Sequence, residues 1–314
     1  LGAAQHATAP DYHSSGAWVA VAVAAAGARM LGLDAAATAH AMGIAEYHGP
    51  RSQMMRVIDH PTMLKDGSGW GAMAGVSAAL LARAGFTGAP ALTVEGAGAA
   101  PFWADLGARW LILEQYFKPF PVCRWAQAPV EAVLALRRAN GLAAADVAGI
   151  EVESFHEAIR LATAEPATTE EAQYSTAFPC AVAMARGGLG PADLAGDALA
   201  DPEVRRLSRG LVMTESAEAN AAFPARRLAR VRLRLRDGRV LQSGWTTPRW
   251  DAGAPPSAAE LRAKFHAIAG PALGDARAAE IERVLAETLA GGPLSRLSGL
   301  LCRPLPGDRA GARG

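Results

Sequence analysis

Hydrophobic positions along this chain change period twice. Over residues 17–33, alanine, valine and leucine fill nearly every side of a helical wheel, which predicts a helix buried on most faces and ended by Gly32. Asp34 is placed to cap a second helix over 35–47. A third is expected from about Ser68 to Arg83. On it Met73, Val76 and Leu80 share one face, while Gly71, Gly75, Ala78 and Ala82 make another so small that a second backbone could pack against it. Up to about residue 107 the pattern is that of a helical bundle.

The middle of the chain reads differently. Residues 110–117 form an apolar, aromatic, strand-like run, and Pro119 and Pro121 forbid regular structure over 118–125. An amphipathic helix over 128–140 is closed by Gly141, and 150–153 alternates as a strand with an exposed face. Residues 174–186 read as a small-residue helix despite Pro179, and 201–209 as a short polar one. The clearest β signal is 230–242, where Val231, Leu233 and Leu235 alternate with arginines and Asp237-Gly238 supplies a two-residue hairpin turn. Helical periodicity then returns. Ser257 and Glu260 make a capping box for a helix through Ala269, and Asp275 is placed to cap another through Leu289. The fold class is therefore mostly α with an α+β part. The expected organisation is a helical domain built from both termini (1–117 and 251–305), a smaller α+β lid inserted at 118–250, and a disordered tail at 306–314.

Composition narrows the function. The net charge is +1, with 31 Lys and Arg against 30 Asp and Glu, so no global field draws the protein to nucleic acid or to a membrane surface. The arginine stripe of 230–236 lacks interleaved aromatics and reads as the solvated outer face of a sheet. Cys123, Cys180 and Cys302 are odd in number and widely spaced, which argues against a disulfide framework and a structural zinc and fits a reducing cytoplasm. The apolar run over 17–28 falls short of the roughly 20 residues a membrane span needs. The chain opens on Leu1 with no Met and no basic leader, as though a segment upstream were missing.

The candidate chemistry lies in loops. Pro61 and the glycines at 67 and 69 hold Lys65 on a tight loop ahead of a helix, where its ammonium and the free amides of the helix start could meet an anion; the alternative is a solvated loop lysine. The glycine spacing of a nucleotide-phosphate loop is absent. His13, in Tyr12-His13-Ser14-Ser15-Gly16, also precedes a buried helix, whereas His40 falls within one and His156 and His266 read as surface positions. No metalloprotease, dinucleotide, flavin or pyridoxal signature is present, which leaves cofactor-free acid/base work on a small anion as the enzyme reading.

Five motifs in order carry a resemblance: Tyr12-His13-Ser14-Ser15-Gly16 before its Ala-rich helix, Met63-Leu64-Lys65-Asp66-Gly67, Phe117-Lys118-Pro119-Phe120-Pro121-Val122-Cys123-Arg124, Ala172-Gln173-Tyr174-Ser175, and Ser257 through Phe265. Together they resemble the MmgE/PrpD family, which includes 2-methylcitrate dehydratase, cis-aconitate decarboxylase and iminodisuccinate epimerase. The resemblance implies an all-helical domain with an α+β lid, a homodimer formed through the helical domain, no cofactor and no metal, and a di- or tricarboxylate substrate. It makes His13 and Lys65 the catalytic residues and Lys65 and Lys118 substrate ligands, and Arg124, whose guanidinium fork matches carboxylate geometry, is a second candidate carboxylate clamp. His13, whose residue type titrates near pH 6.5, would move a proton at the carbon α to a carboxylate, and the lysines would hold the enediolate so formed. A 2-methylcitrate dehydratase-like hydro-lyase is the first expectation, with epimerisation or decarboxylation of a related acid as the alternative. A reading of another class is an incomplete or catalytically silent subunit that needs an N-terminal partner segment.

Overall fold

The computed structural model describes residues 1–65 and 67–305, so Asp66 and the tail expected at 306–314 lie outside the described residues. The protein is mostly helical with one small mixed sheet, as the pattern predicts. It divides into two compact units: Leu1–Leu113 with His156–Thr176, and Glu114–Phe155 with Ala177–Gly314. Residues 251–305 thus group with the second unit, where the pattern alone had them completing the first. The contacts explain it, since Glu260 meets the Trp250 indole and Lys264 the Lys118 carbonyl.

The first unit holds helices α1 (Gly2–Thr8), α2 (Ser15–Met30), α3 (Ala35–His48), α4 (Arg56–Asp59), α5 (Ser68–Arg83) and α6 (Leu92–Glu95), joined by α8 (His156–Ile159) and α9 (Thr169–Gln173). Asp34 caps α3 by accepting from the Ala37 amide at 2.8 Å. Its core is largely alanine: Ala20, Ala24, Ala28, Ala41, Ala45, Ala78 and Ala82, with Ile44. Each methyl buries little area, so cohesion comes from close backbone approach and dispersion. A Cβ on Gly75 would stand 2.5 Å from the Ala20 carbonyl oxygen, and one on Gly71 would strike the carbonyl of Gly16. The small face of α5 is therefore the buried one. Its larger face is not: Trp70, Met73, Val76 and Leu80 are between 43% and 61% exposed.

The second unit holds α7 (Gln127–Asn140), α10 (Ala177–Arg186), α11 (Pro202–Arg209), α12 (Ala217–Ala222), α13 (Ala258–Leu273), α14 (Asp275–Leu289) and α15 (Leu294–Leu301). Its strands are β1 (Val147–Ser154), β2 (Val212–Glu215), β3 (Arg230–Leu235) and β4 (Val240–Gln242), in the order β2-β1-β3-β4, with β2 parallel to β1 and the other pairs antiparallel. Ile150, Val152, Val231 and Leu233 point inward and are fully buried. On the other face Arg230 pairs with Glu153 at 2.7 Å, and Arg232 and Arg234 with Glu151 at 3.1 and 3.0 Å. The arginine stripe is thus neutralised by the next strand.

Several expectations change in detail. The hairpin closes through Leu235 donating to the Arg239 carbonyl, leaving three loop residues with Gly238 at φ +89, the geometry of a glycine bulge loop. Residues 110–117 hold a 3-10 turn, Leu111–Glu114, because no strand among the described residues lies beside them to take their backbone groups. Pro179 sits in the first turn of α10, where a missing amide costs nothing. Asp275 is the first residue of α14 and not its cap. Among the described residues no helix is long and apolar enough to cross a membrane.

Candidate functional site

Within the first unit, a cleft of about 400 Å³ opens beside the loop ahead of α5. Lys65 lines it, on a backbone with φ +46, a left-handed conformation that costs a side-chain-bearing residue about 1 kcal/mol or more. Its exposed ammonium donates to Gln173 Oε1 and stands 5.9 Å from the centroid of the Tyr174 ring. Arg51, Arg56 and His60 line the same cleft with Ser14, Ser52 and Thr62. Of the two arginines, Arg51 reaches a carboxylate, Glu46 at 4.0 Å, while Arg56 donates to the Ser52 hydroxyl at 3.4 Å. Lys65 and Arg56 have no carboxylate partner among the described residues. A cleft of this size, ringed by cations that share too few counter-charges, suits a small polyanion.

His13 takes another position. It is 1% exposed and does not line the cleft, though Ser14 does. Its Nδ1 lies 2.8 Å from the Ala9 carbonyl oxygen, so that nitrogen carries the proton, and Nε2 accepts from His6 Nδ1 at 3.1 Å. The two rings meet edge to face at 4.9 Å, with Trp18 on the far side of His13. The basic lone pair of His13 therefore faces the exposed ring of His6.

Lys118 and Arg124 belong to the second unit. The run from Lys118 to Arg124 has lost two amide donors to proline, and its fold is held from within by Gln127. That fully buried side chain donates to the carbonyls of Phe120 and Val122 at 3.0 Å each and accepts from the Phe120 amide at 3.2 Å. Lys118 is exposed at the head of this run. Arg124 is 6% exposed: Nη2 donates to Asp251 Oδ1, the guanidinium lies 3.7 Å from the Tyr116 ring centroid, and Nε and Nη1 have no hydrogen-bond partner. Burial pulls its pKa below the ordinary value, opposed by Asp251. The guanidinium is already clamped by its own chain.

Pattern reasoning passed over Arg51, Arg56 and His60, which become neighbours of Lys65 only when the chain folds back on the loop. Gln173 and Tyr174 were visible as a motif but not as partners of Lys65. No group of three or more His, Cys, Asp or Glu among the described residues is arranged to hold a metal ion.

The profile of the MmgE/PrpD N-terminal domain matches residues 1–105, and that of the MmgE/PrpD C-terminal domain residues 120–288. The chain belongs to the MmgE/PrpD family. No curated protein matches it. Family membership suggests dehydratase- or lyase-type chemistry, and leaves substrate and reaction to be argued from the site.

Proposed function

We propose that this MmgE/PrpD protein is a cofactor-independent lyase of small di- or tricarboxylic acids, a hydro-lyase of the 2-methylcitrate dehydratase type, working in a cytoplasmic setting as a homodimer. The observation that supports it most is the cleft in which Lys65 and Arg56 meet beside His60, neither cation having a carboxylate partner among the described residues. A substrate carboxylate on Lys65 and Arg56 acidifies the adjacent C–H, and the enediolate left when that proton departs spreads its charge toward the same cations. His13 handles the proton through His6. A proton taken at His6 Nε2 is matched by release of the Nδ1 proton of His6 to His13 Nε2. The β-hydroxyl then leaves as water with the proton that His6 returns from Nε2 while His13 Nε2 gives its proton back to His6 Nδ1, and an alkene remains. Epimerisation and decarboxylation of a related acid share the carbanion and are the alternative. Lys118 and Arg124 are the remaining proposed carboxylate ligands, Lys118 the more available of the two. The homodimer reading rests on the bare apolar face of α5, since large exposed apolar patches are uncommon on soluble monomers.

Proton NMR of 2-methylcitrate, citrate and related acids in D₂O tests the reaction. An alkene product, lost in Lys65→Ala, supports the hydro-lyase. Exchange and inversion of the α-proton with no alkene replaces it with the epimerase, and inertness toward every acid overturns the reading.

A further inference from the structure

Asp59 ends the single turn of α4 and stands three residues after Arg56, the spacing at which an arginine and an aspartate on one helix are neighbours and ordinarily pair. Asp59 turns elsewhere. Its carboxylate accepts from Arg160 through both oxygens, Oδ1 from Nε at 2.9 Å and Oδ2 from Nη2, the parallel fork-to-carboxylate geometry of a strong ion pair. Arg56 is left with the Ser52 hydroxyl at 3.4 Å and with no carboxylate among the described residues.

Arg160 belongs to the same segment, 156–176, that supplies the acceptor for Lys65, and that segment groups with the first unit. Arg160 follows α8 directly, and Gln173 is the last residue of α9. The stretch between them is closed at its base. The Thr176 amide donates to the Leu161 carbonyl at 3.1 Å and the Ser175 hydroxyl to the Thr163 carbonyl at 2.5 Å, with Leu161 fully buried. One closed loop therefore grips the cleft at two points, the turn that carries Arg56 and the loop that carries Lys65.

The two grips differ in chemistry. Gln173 is neutral and leaves the charge of Lys65 in place, whereas Arg160 is charged and consumes the charge of Asp59. With Arg160 removed, a side-chain rotation would bring the Asp59 carboxylate onto Arg56, and an anion entering the cleft would meet a neutral pair where it now meets a cation. Asp59 and Arg160 are each about one-third exposed, and an ion pair in that setting adds little to stability. Its effect lies in which arginine keeps its charge free.

We infer that Arg160 is a positioning residue of the cleft: by holding Asp59 in a bidentate pair it anchors the turn that bears Arg56 and keeps Arg56 unpaired, so that Arg56 and Lys65 receive a polycarboxylate together. The inference rests on the reading of this cleft as the polycarboxylate site and deepens it.

Isothermal titration with propane-1,2,3-tricarboxylate, beside a melting curve for each variant, tests it. Arg160→Ala should weaken binding about tenfold, because Asp59 is released onto Arg56, and Arg160→Lys, which keeps the charge without the fork, should lose less. The deciding variant adds Asp59→Asn to Arg160→Ala. It removes the released carboxylate, and binding should return to within about threefold of wild type although the ion pair is still absent. A pair that merely held the fold together would leave the double variant as weak as the single one; that result, or wild-type binding by Arg160→Ala, overturns the inference. If Arg160→Ala does not fold, Arg160→Gln with and without Asp59→Asn gives the same comparison. The two readings fail separately: recovery in the double variant of a protein that turns over no acid keeps the role of Arg160 and discards the lyase, whereas turnover with a KM unmoved by Arg160→Ala does the reverse. A wild-type protein that does not bind the tricarboxylate removes both.

Discussion

The Lys65 ammonium donates to the side-chain carbonyl of Gln173, a residue 108 positions later in the chain. The acceptor is neutral, so Lys65 is oriented without being neutralised and its charge stays available to an anion. Gln173→Glu replaces that acceptor with a carboxylate of nearly the same shape. It is expected to weaken polycarboxylate binding by about tenfold, roughly 1.4 kcal/mol, with little change in thermal stability. Isothermal titration beside a melting curve checks both halves.

Arg124 should behave as part of the framework of the second unit. Asp251→Ala is expected to cost about 1–3 kcal/mol, because it leaves a buried guanidinium with one fewer partner while the lost carboxylate is itself half in water. Arg124→Lys should also destabilise, since an ammonium cannot reproduce the flat contact with Tyr116. Urea unfolding measures both. A pure substrate clamp would instead leave stability unmoved and change affinity alone.

Asp201 makes stability depend on acid pH. It caps α11 by accepting from the Val204 and Glu203 amides at 3.1 and 2.9 Å, and it pairs with Arg186 at 3.1 Å. The Val204 hydrogen bond is the largest cause holding its carboxyl below the ordinary value of 3.8. Because the folded pKa is the depressed one, this stabilisation is fully present above pH 3.8 and is lost as pH falls through the folded value. Asp201→Ala should cost about 1 kcal/mol at pH 7, and the gap from wild type should narrow in unfolding experiments as pH is taken down from 3.8 through the folded value.

Gly75→Ala tests the close contact of α5 with α2. Its new methyl would press on the Ala20 carbonyl and Val23 Cβ, the latter at 2.7 Å, and backbone cannot swing aside as a side chain does. A loss of about 1–3 kcal/mol is expected from overpacking, against a gain of helix propensity that Ala brings at an open site.

Light scattering checks assembly. A dimer is expected at micromolar concentration, and Met73→Glu with Val76→Lys should shift it toward monomer. A monodisperse 32.5 kDa species in the wild type would remove the homodimer.

Much of the fold was legible because periodicity reports what a helix or strand must bury. The small face of α5, the Asp34 cap, the Ser257 capping box and the alternation of β3 all appear as read. Periodicity does not report who the neighbours are. It therefore made a strand of 110–117, which has no partner strand, and assigned 251–305 to a unit it does not join. The site was legible to the same extent. Lys65 could be found from its loop, but the inward turn of His13 depends on a carbonyl and a histidine supplied by α1 and the turn after it, which carry no motif.

The contact of Gly71 with Gly16 joins the first turns of two helices, and just upstream of those turns lie the loops that bear Lys65 and His13. The Ser68 and Ser15 hydroxyls, 3.1 Å apart, add a second rivet at the same spot. With no side chains between the backbones there is no compliant layer, so neither loop can be re-aimed by repacking beneath it. Divergence toward a new ligand must therefore proceed by exchanging residues around a fixed chassis, such as those at 51, 56, 60 and 173, and not by shifting the lysine loop relative to the histidine.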